Sequence, residues 1–200
     1  MARYQPRDKF YWRARDRGLP SRAAFKLDEL LARHRLIRPG ARVIDLGCAP
    51  GGWLAVLADA VGPAGRVVGI DLAAVRIAAP NVIALAGDLR DAAIQAEAIA
   101  RLGGPADLVT SDLSPKLSGI AERDQARGAE LLIAALDFAR VALRPGGAMV
   151  AKAFMGGAFD EIVAAFGPAF ARVEPTRTRA SRPGSAELYL LATGHRARPG

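Results

Sequence analysis

The stretch ARVIDLGCAPGGWLAVLADAVG, residues 41–62, predicts a strand, a glycine-rich turn and a helix in immediate succession. Its apolar start, residues 41–47, is typical of a strand that is buried on both faces. The following helix, residues 51–62, ends at Gly62. Glycines in such a turn let a ligand approach the backbone, and the start of the helix offers free N–H groups. The stretch therefore predicts a binding loop at the end of a central strand.

The rest of the chain continues the alternation of apolar strands and helices. We predict further strands at residues 65–72, 81–89, 106–113, 148–154, 170–177 and 186–194, and helices at residues 21–37, 91–104, 157–167 and within 122–147, the last ending before Pro145. Apolar strands that are separated by helices indicate a parallel sheet covered on both faces. The expected fold is α/β, a doubly wound and mostly parallel seven-stranded sheet whose ligand site lies at the carboxyl ends of the strands.

Composition excludes several classes of protein. The 200 residues, 51% hydrophobic and 24% charged, suit one globular domain, which we place at residues 21–195 between a basic segment, residues 1–20, and a short tail, residues 196–200. Every apolar run is much shorter than the roughly 20 residues of a membrane span, and the start lacks the apolar core of a secretion signal. One cysteine and no zinc-like spacing predict neither disulfide nor metal. We expect a cytoplasmic protein.

The basic residues indicate an anionic partner. The net charge is +8, carried by 24 arginines and only 4 lysines. Residues 1–22 contain seven basic residues against two acidic ones, with four aromatic side chains interleaved. Basic groups can hold phosphates while aromatic rings stack on bases, so this segment is a candidate for nucleic-acid binding. A solvated tail is the alternative interpretation.

Carboxylates at the ends of the predicted strands suggest the ligand. Asp71 ends the second strand, where a carboxylate can accept both ribose hydroxyls of a nucleoside. The loop from Asp45 to Gly51 spells D-x-G-x-x-x-G rather than the G-x-G-x-x-G of dinucleotide sites, and it is the pattern of methyltransferases that use S-adenosylmethionine (SAM). Asp45 and Asp112 suit a cationic cofactor. The alternative is that the glycines only make a turn.

Two further residues near this loop have alternative roles. Asp88, which ends the third strand, could accept a hydrogen bond from an adenine amino group, or it could cap the next helix. Trp53 could form a wall of the pocket or pack in the core. The sequence leaves both choices open.

A resemblance extends the site. The segments that carry it follow in order: SRAAFKLDE (21–29), DLGCAPGGW (45–53), GDLRD (87–91), SDLSP (111–115), LRPGG (143–147), AKAF (151–154), GAFDE (157–161) and ELYLLATG (187–194). From about Asp8 to Gly194 the chain resembles the FtsJ-type RNA 2′-O-ribose methyltransferases, most of all the bacterial members that methylate a uridine of the 23S ribosomal RNA A-loop. Where the family has an Asn this chain has Lys116, and Pro183 and Gly184 alter the loop before Glu187.

The resemblance implies a function and a set of site residues. It implies a Rossmann-like, SAM-dependent enzyme, and we expect a cytoplasmic monomer acting on 23S ribosomal RNA in the large subunit. A catalytic Lys-Asp-Lys-Glu tetrad is implied at Lys26, Asp112, Lys152 and Glu187, and SAM contacts at Gly51, Trp53, Asp71, Asp88 and Asp112. Asp112 and Lys152 can meet because they lie on strands that are expected to be neighbours, whereas nothing in the spacing brings Lys26 and Glu187 to them.

The implied chemistry gives a reason for a lysine at position 152. A ribose 2′-hydroxyl becomes a good nucleophile only as it loses its proton, and a neutral lysine can accept that proton whereas arginine stays charged. An ordinary ion pair with Asp112 is the alternative, as are surface salt bridges for Lys26 and Glu187. Rival functions are methylation of transfer RNA or another RNA, a non-catalytic RNA-binding protein that retains SAM, and a nicotinamide oxidoreductase.

Overall fold

The computed structural model describes residues 22–116, 118–181 and 186–197. The predicted basic segment, residues 1–20, lies outside the described residues, as do Pro183, Gly184 and the last residues of the tail. The helices are α1 (Arg22–His34), α2 (Gly52–Val61), α3 (Ala92–Leu102), α4 (Ala121–Ala142) and α5 (Phe159–Phe166). The strands are β1 (Arg42–Leu46), β2 (Arg66–Asp71), β3 (Val82–Ala86), β4 (Ala106–Ser111), β5 (Leu143–Phe154), β6 (Phe170–Thr176) and β7 (Glu187–His195).

The strands form one sheet in the order β3-β2-β1-β4-β5-β7-β6. All neighbouring pairs are parallel except those that involve β7, which runs antiparallel to both β5 and β6. This confirms the predicted seven-stranded, mostly parallel α/β sheet. The strand order reverses beside β1, and it is there that such sheets bind their ligands.

Two hydrophobic cores lie on opposite faces of the sheet. Along β1, Val43 faces the core that includes α1 and α2, whereas Ile44 faces the core that includes α3, α4 and α5. Both side chains are fully buried. Because successive side chains of a strand point to opposite faces, a strand that is covered on both sides must be apolar at nearly every position. This is why residues 41–47 could be identified from their composition.

The fifth strand is longer than predicted. It begins at Leu143 rather than at residue 148, so the turn-like LRPGG segment is part of it. Leu143 pairs with Ala106, and after an irregularity in the register Ala148 pairs with Leu108. The extra residues bulge out between these two pairs, which lets proline and glycine occur within the strand.

Candidate active site

A cleft opens at the carboxyl ends of β1, β2, β3 and β4. Its volume is about 290 Å³, close to the lower end of small-molecule sites, which begins at about 300 Å³. The residues that line it are Gly47, Ala49, Ile70, Asp71, Leu72, Gly87, Asp88, Leu89, Arg90, Asp112, Leu113, Ser114 and Leu131. The predicted residues Asp71, Asp88 and Asp112 are thus brought to one cleft.

The loop after β1 closes the floor of this cleft. Gly47 has a φ of 77°, and a Cβ atom there would come within 3.0 Å of the Leu113 side chain and 3.2 Å of its backbone. Gly51, with a φ of 105°, precedes the first residue of α2. Glycine is required at Gly47 for two reasons, the left-handed conformation and the close approach of the segment that follows β4. The loop therefore lets the ends of β1 and β4 form one continuous surface.

Asp71 is held in a defined orientation by the backbone. Its Oδ2 accepts a hydrogen bond from the Ala49 N–H and its Oδ1 accepts one from the Ala73 N–H, each at 2.9 Å. A carboxylate oxygen can accept two hydrogen bonds, so each oxygen retains a free acceptor position. The side chain is partly buried at the cleft wall. Two parallel acceptors in a fixed position suit a pair of vicinal hydroxyls.

Asp88 lies in the cleft, and it does not cap helix α3. The cap of α3 is Asp91, whose side chain accepts the Ala93 N–H at 2.8 Å. Asp88 instead pairs with Arg90, whose Nη2 lies 2.5 Å from the Asp88 Oδ2. Hydrogen bonds from the Arg90 side chain and backbone lower the pKa of Asp88 to about 2. Asp88 is therefore an ionised acceptor at neutral pH.

Trp53 packs between helix α1 and strand β7. It is 3% exposed, its ring lies 6.0 Å from that of Tyr189, and its indole N–H donates to the Ala23 carbonyl at 2.8 Å. Neither Trp53 nor Gly51 is among the described residues that line the cleft. Trp53 thus packs α1 against α2 and the sheet, and its contact with SAM stays a prediction.

Asp45 is a buried carboxyl group beneath the loop. It is fully buried, and its Oδ1 accepts a hydrogen bond from the Thr110 hydroxyl at 2.7 Å. Its Oδ2 has no hydrogen-bond partner within the described part of the chain. Burial raises the pKa of Asp45 to about 8, against the weaker opposite effect of the Thr110 hydrogen bond, and the charges of Asp112 and Asp71 raise it further. At pH 7 the group is thus mainly neutral.

Lys152 and Asp112 form a close pair at the edge of the cleft. The Lys152 Nζ lies 3.1 Å from the Asp112 Oδ1 and donates a hydrogen bond to the Asp112 carbonyl oxygen at 2.9 Å. The Lys152 side chain is 7% exposed and that of Asp112 is 23% exposed. Burial raises the pKa of Asp112, although the charges of Lys152 and then Lys26 oppose the shift. Asp112 connects this pair to the cleft, because it is a member of the pair and also lines the cleft.

Lys26 and Glu187 form a second pair beside the first. The Lys26 Nζ is ion-paired with the Glu187 Oε1, although 161 residues separate them in the chain. Both charges act on the carboxyl group of Asp112. The structure therefore brings together all four residues for which the resemblance implied a common site, here named the KDKE cluster: Lys26, Asp112, Lys152 and Glu187.

Tyr189 is a component that the sequence analysis did not select. It pairs with Lys152 across β5 and β7, and its ring lies 5.9 Å from the Lys26 Nζ. Burial, followed by the charges of Asp112 and Glu187, raises the pKa of its hydroxyl. Tyr189 is two residues after Glu187 and therefore on the same face of the strand. That spacing was the available signal.

Glu29 connects helix α1 to the segment after β6. It is 7% exposed, and its carboxylate accepts the Arg179 N–H at 2.9 Å and a longer bond from the Arg179 Nε at 3.3 Å. It is also ion-paired with Arg33, whose Nη1 donates to the Arg177 carbonyl at 3.0 Å. Lys26, Glu29 and Arg33 lie at helical spacing on one side of α1, so this side fixes both the segment and Glu187.

Comparison with known proteins places the chain in a family. A model of the FtsJ-like methyltransferases matches residues 19–195. The chain belongs to the FtsJ-like methyltransferase family. Two relatives named ribosomal RNA large subunit methyltransferase E are those of Anaeromyxobacter sp. strain Fw109-5, 45% identical over 96% of this chain and 70% of the relative, and of Myxococcus xanthus, 42% identical over 97% and 92%.

Solved structures with the same fold agree with the FtsJ-like assignment. A Plasmodium falciparum protein assigned as a ribosomal RNA methyltransferase superposes with a TM-score of 0.78 at 22% identity, covering 89% of this chain and 99% of that one. Fibrillarin from Aeropyrum pernix, solved with bound SAM, gives a TM-score of 0.57 at 17% identity, covering 78% and 67%. At these identities the likeness establishes the fold, a Rossmann-like methyltransferase domain.

Within the described part of this FtsJ-like chain, no helix is both long and apolar enough to cross a membrane. Likewise, its described residues contain no group of three His, Cys, Asp or Glu side chains that could hold a metal ion.

Proposed function

We propose that the chain transfers a methyl group from SAM to a ribose 2′-hydroxyl of large-subunit ribosomal RNA, at a uridine of the 23S A-loop. The substrate class is supported by the names of the relatives, and the position of the methyl group by the KDKE cluster. A cytoplasmic monomer is the form we propose, because ribosomal RNA is the substrate and one chain holds all four side chains of the cluster.

The cleft has the donors and acceptors that SAM requires. Asp71 presents two oxygens, each with a free acceptor position, for the ribose hydroxyls, and the ionised Asp88 would accept the adenine amino group. Gly47 lets the loop after β1 pack against Leu113 at the cleft, and Asp112 offers a carboxylate for the sulfonium charge. When bound, SAM supplies a methyl group that is activated by a positive sulfur.

One observation carries the proposed chemistry, the two acceptors around the Lys152 amine. A neutral amine has two N–H groups and one lone pair. The Oδ1 and the carbonyl oxygen of Asp112, at 3.1 and 2.9 Å from the Nζ, can occupy the two N–H groups. The lone pair then remains for the proton of the 2′-hydroxyl, so Asp112 would orient Lys152 as a general base.

The second pair of the cluster would position the acceptor ribose. The Lys26–Glu187 pair is less buried than Lys152, with side chains that are 13% and 19% exposed, and thus reachable by RNA. Lys26 can donate to the ribose or its phosphate, while Glu187 can accept from a hydroxyl. Holding the oxygen in line with the transferred methyl is the largest expected contribution, since orientation alone can account for about 7 kcal/mol or more of a barrier.

The proposal is tested by locating the methyl group. The protein is incubated with tritiated SAM and separately with 23S ribosomal RNA, 16S ribosomal RNA and transfer RNA. The product is then hydrolysed in alkali, which leaves a dinucleotide intact only where the 2′-oxygen is methylated. We expect label in such a dinucleotide from 23S RNA. Label on a base, or label in transfer RNA alone, would show that the reaction or the substrate class is wrong.

A further inference from the structure

A second cavity lies at the opposite edge of the sheet from the cleft. Its volume is about 410 Å³, and it is lined by His34, Arg35, Leu36, Arg38, Pro39, Gly40, Ala41, Asp107, Arg144, Gly146, Ala148 and Thr193. These residues come from the end of α1 and the segment after it, the amino ends of β1, β4 and β5, and the carboxyl end of the antiparallel β7. We name it the arginine cavity.

The arginine cavity has an excess of positive charge. Its one acidic side chain in the described lining, Asp107, is already satisfied by the Arg144 Nε at 2.6 Å and by the Arg42 N–H at 2.8 Å. Arg35 and Arg38 are exposed, and neither has an ion pair or a side-chain hydrogen bond to any residue that the structure describes. Two guanidinium groups are thus available to an anion.

The lining also contains a histidine side chain that can donate a hydrogen bond. Burial, followed by the charge of Arg33, lowers the pKa of His34, which favours the neutral ring. The His34 Nε2 has no hydrogen-bond partner among the described residues. A neutral imidazole that has lost contact with water needs such a partner, and an anion in the cavity could provide it.

Arg35 occupies a backbone conformation that its side chain does not favour. Its φ of 51° makes it the one residue other than glycine in the described ranges with a positive φ. It directly follows α1, where glycine or asparagine is the usual residue because neither is strained in the left-handed region. A strained residue at such a position is a reason to look for a role of its side chain.

We propose that the arginine cavity binds a backbone phosphate of the RNA substrate, with Arg35 and Arg38 as its ligands. This inference rests on the proposed function, since it assigns the partner as the same RNA. Arginine recognises phosphate through paired donors, and the charge is complementary. At about 3.3 Å per residue, the six residues of β4 place the cavity about 20 Å from the cleft. Only a folded RNA that passes around the domain reaches both, which favours ribosomal RNA over a short strand.

The test combines Arg35→Asn with Arg38→Gln and measures binding to full-length 23S RNA at several salt concentrations. We expect affinity to fall about tenfold and the slope of log affinity against log salt to decrease by about 1, since one phosphate contact is lost. Because asparagine relieves the strained backbone, the melting temperature should be equal or higher. Affinity for SAM and the single-turnover rate at saturating RNA should not change.

The matched control is Arg66→Gln with Arg101→Gln, which removes the same charge from exposed positions on the β2 and α3 side of the same edge. If the control weakens RNA binding as much, the effect is one of net charge and the inference is wrong. Unchanged RNA affinity in the Arg35→Asn/Arg38→Gln variant would also overturn it. Methyl transfer by the wild-type protein is scored separately, so a failure of the proposed function is distinguished from a failure of the cavity.

Discussion

Replacing Lys152 by arginine separates a proton acceptor from a positive charge. The Lys152 Nζ lies 3.1 Å from the Asp112 Oδ1 and 2.9 Å from the Asp112 carbonyl oxygen, and a guanidinium group can keep both bonds. Unlike a neutral amine, arginine has no lone pair for the 2′-hydroxyl proton. We therefore expect the methyl-transfer step to slow by about 10²–10⁴, the range of a lost general base. That corresponds to about 2.7–5.4 kcal/mol in the barrier.

The structural cost of Lys152→Arg is predicted to be smaller. The Lys152 side chain is only 7% exposed, so a larger head group must displace neighbours, typically at about 1–3 kcal/mol. For a chain of 200 residues, each kcal/mol lowers the melting temperature by about 2–4 °C. The variant should therefore remain folded at 25 °C, and the loss in rate should exceed what misfolding explains.

The assay is single-turnover methyl transfer at saturating RNA and SAM across a range of pH. A step that depends on a general base speeds up with rising pH, so the wild-type rate should rise, whereas the rate of Lys152→Arg should remain low and flat. Lys116→Arg is the matched control, since position 116 is exposed and the substitution leaves a positive charge there. Turnover of Lys152→Arg within severalfold of wild type would refute the general-base role and leave Lys152 as an electrostatic partner of Asp112.

Three further changes test other parts of the site. Asp71→Ala should weaken SAM binding about 10- to 100-fold by calorimetry, because it removes two acceptors worth about 1.5–3 kcal/mol together. Asp45→Asn should flatten the pH dependence of unfolding. Burial raises the Asp45 pKa from 3.8 to about 8, so wild-type stability should fall by up to about 1.4 kcal/mol per pH unit between these values. Glu29→Gln should speed hydrogen exchange of the Arg179 amide, which the carboxylate accepts at 2.9 Å.

Each of these expectations has a contradicting result. Unchanged SAM affinity in Asp71→Ala would remove Asp71 from the cofactor site. The sign for Asp45 follows from the folded state binding the proton more tightly: its contribution is complete below about pH 4 and is lost as the pH rises towards 8. Equal slopes in urea unfolding for wild type and Asp45→Asn would show that the group ionises normally. Unaltered exchange at Arg179 in Glu29→Gln would mean that the segment is held by other contacts.

The central strands could be predicted because burial on both faces leaves a composition that few other structures share. The same reasoning failed at the start of β5, where LRPGG indicates a turn. The strand continues there because the irregular register opposite β4 accommodates the additional residues. Asp88 and Asp91 illustrate a second limit. From the sequence, Asp88 is a candidate for the cap of α3, but it is the Asp91 side chain that accepts the Ala93 N–H.

Trp53 shows why the packing of a residue in a binding loop is hard to foresee from sequence. The sequence shows that Trp53 belongs to the loop motif, but it does not show on which side α1 packs against α2. That contact between helices puts the Ala23 carbonyl within 2.8 Å of the indole N–H. Helix packing of this kind depends on residues far apart in the chain, which a single sequence does not connect.

The convergence of Lys26 and Glu187 on Asp112 and Lys152 follows from the direction of one strand. β7 inserts between β5 and β6 and runs antiparallel to both, so its first residue, Glu187, pairs with Phe154 at the carboxyl end of β5. A parallel β7 would put its first residue at the other edge, beside the arginine cavity. The same reversal sets Tyr189 opposite Lys152, and α1 then brings Lys26 over that ring. The KDKE cluster is thus built on an exception to the parallel sheet, which the pattern of apolar strands could not reveal.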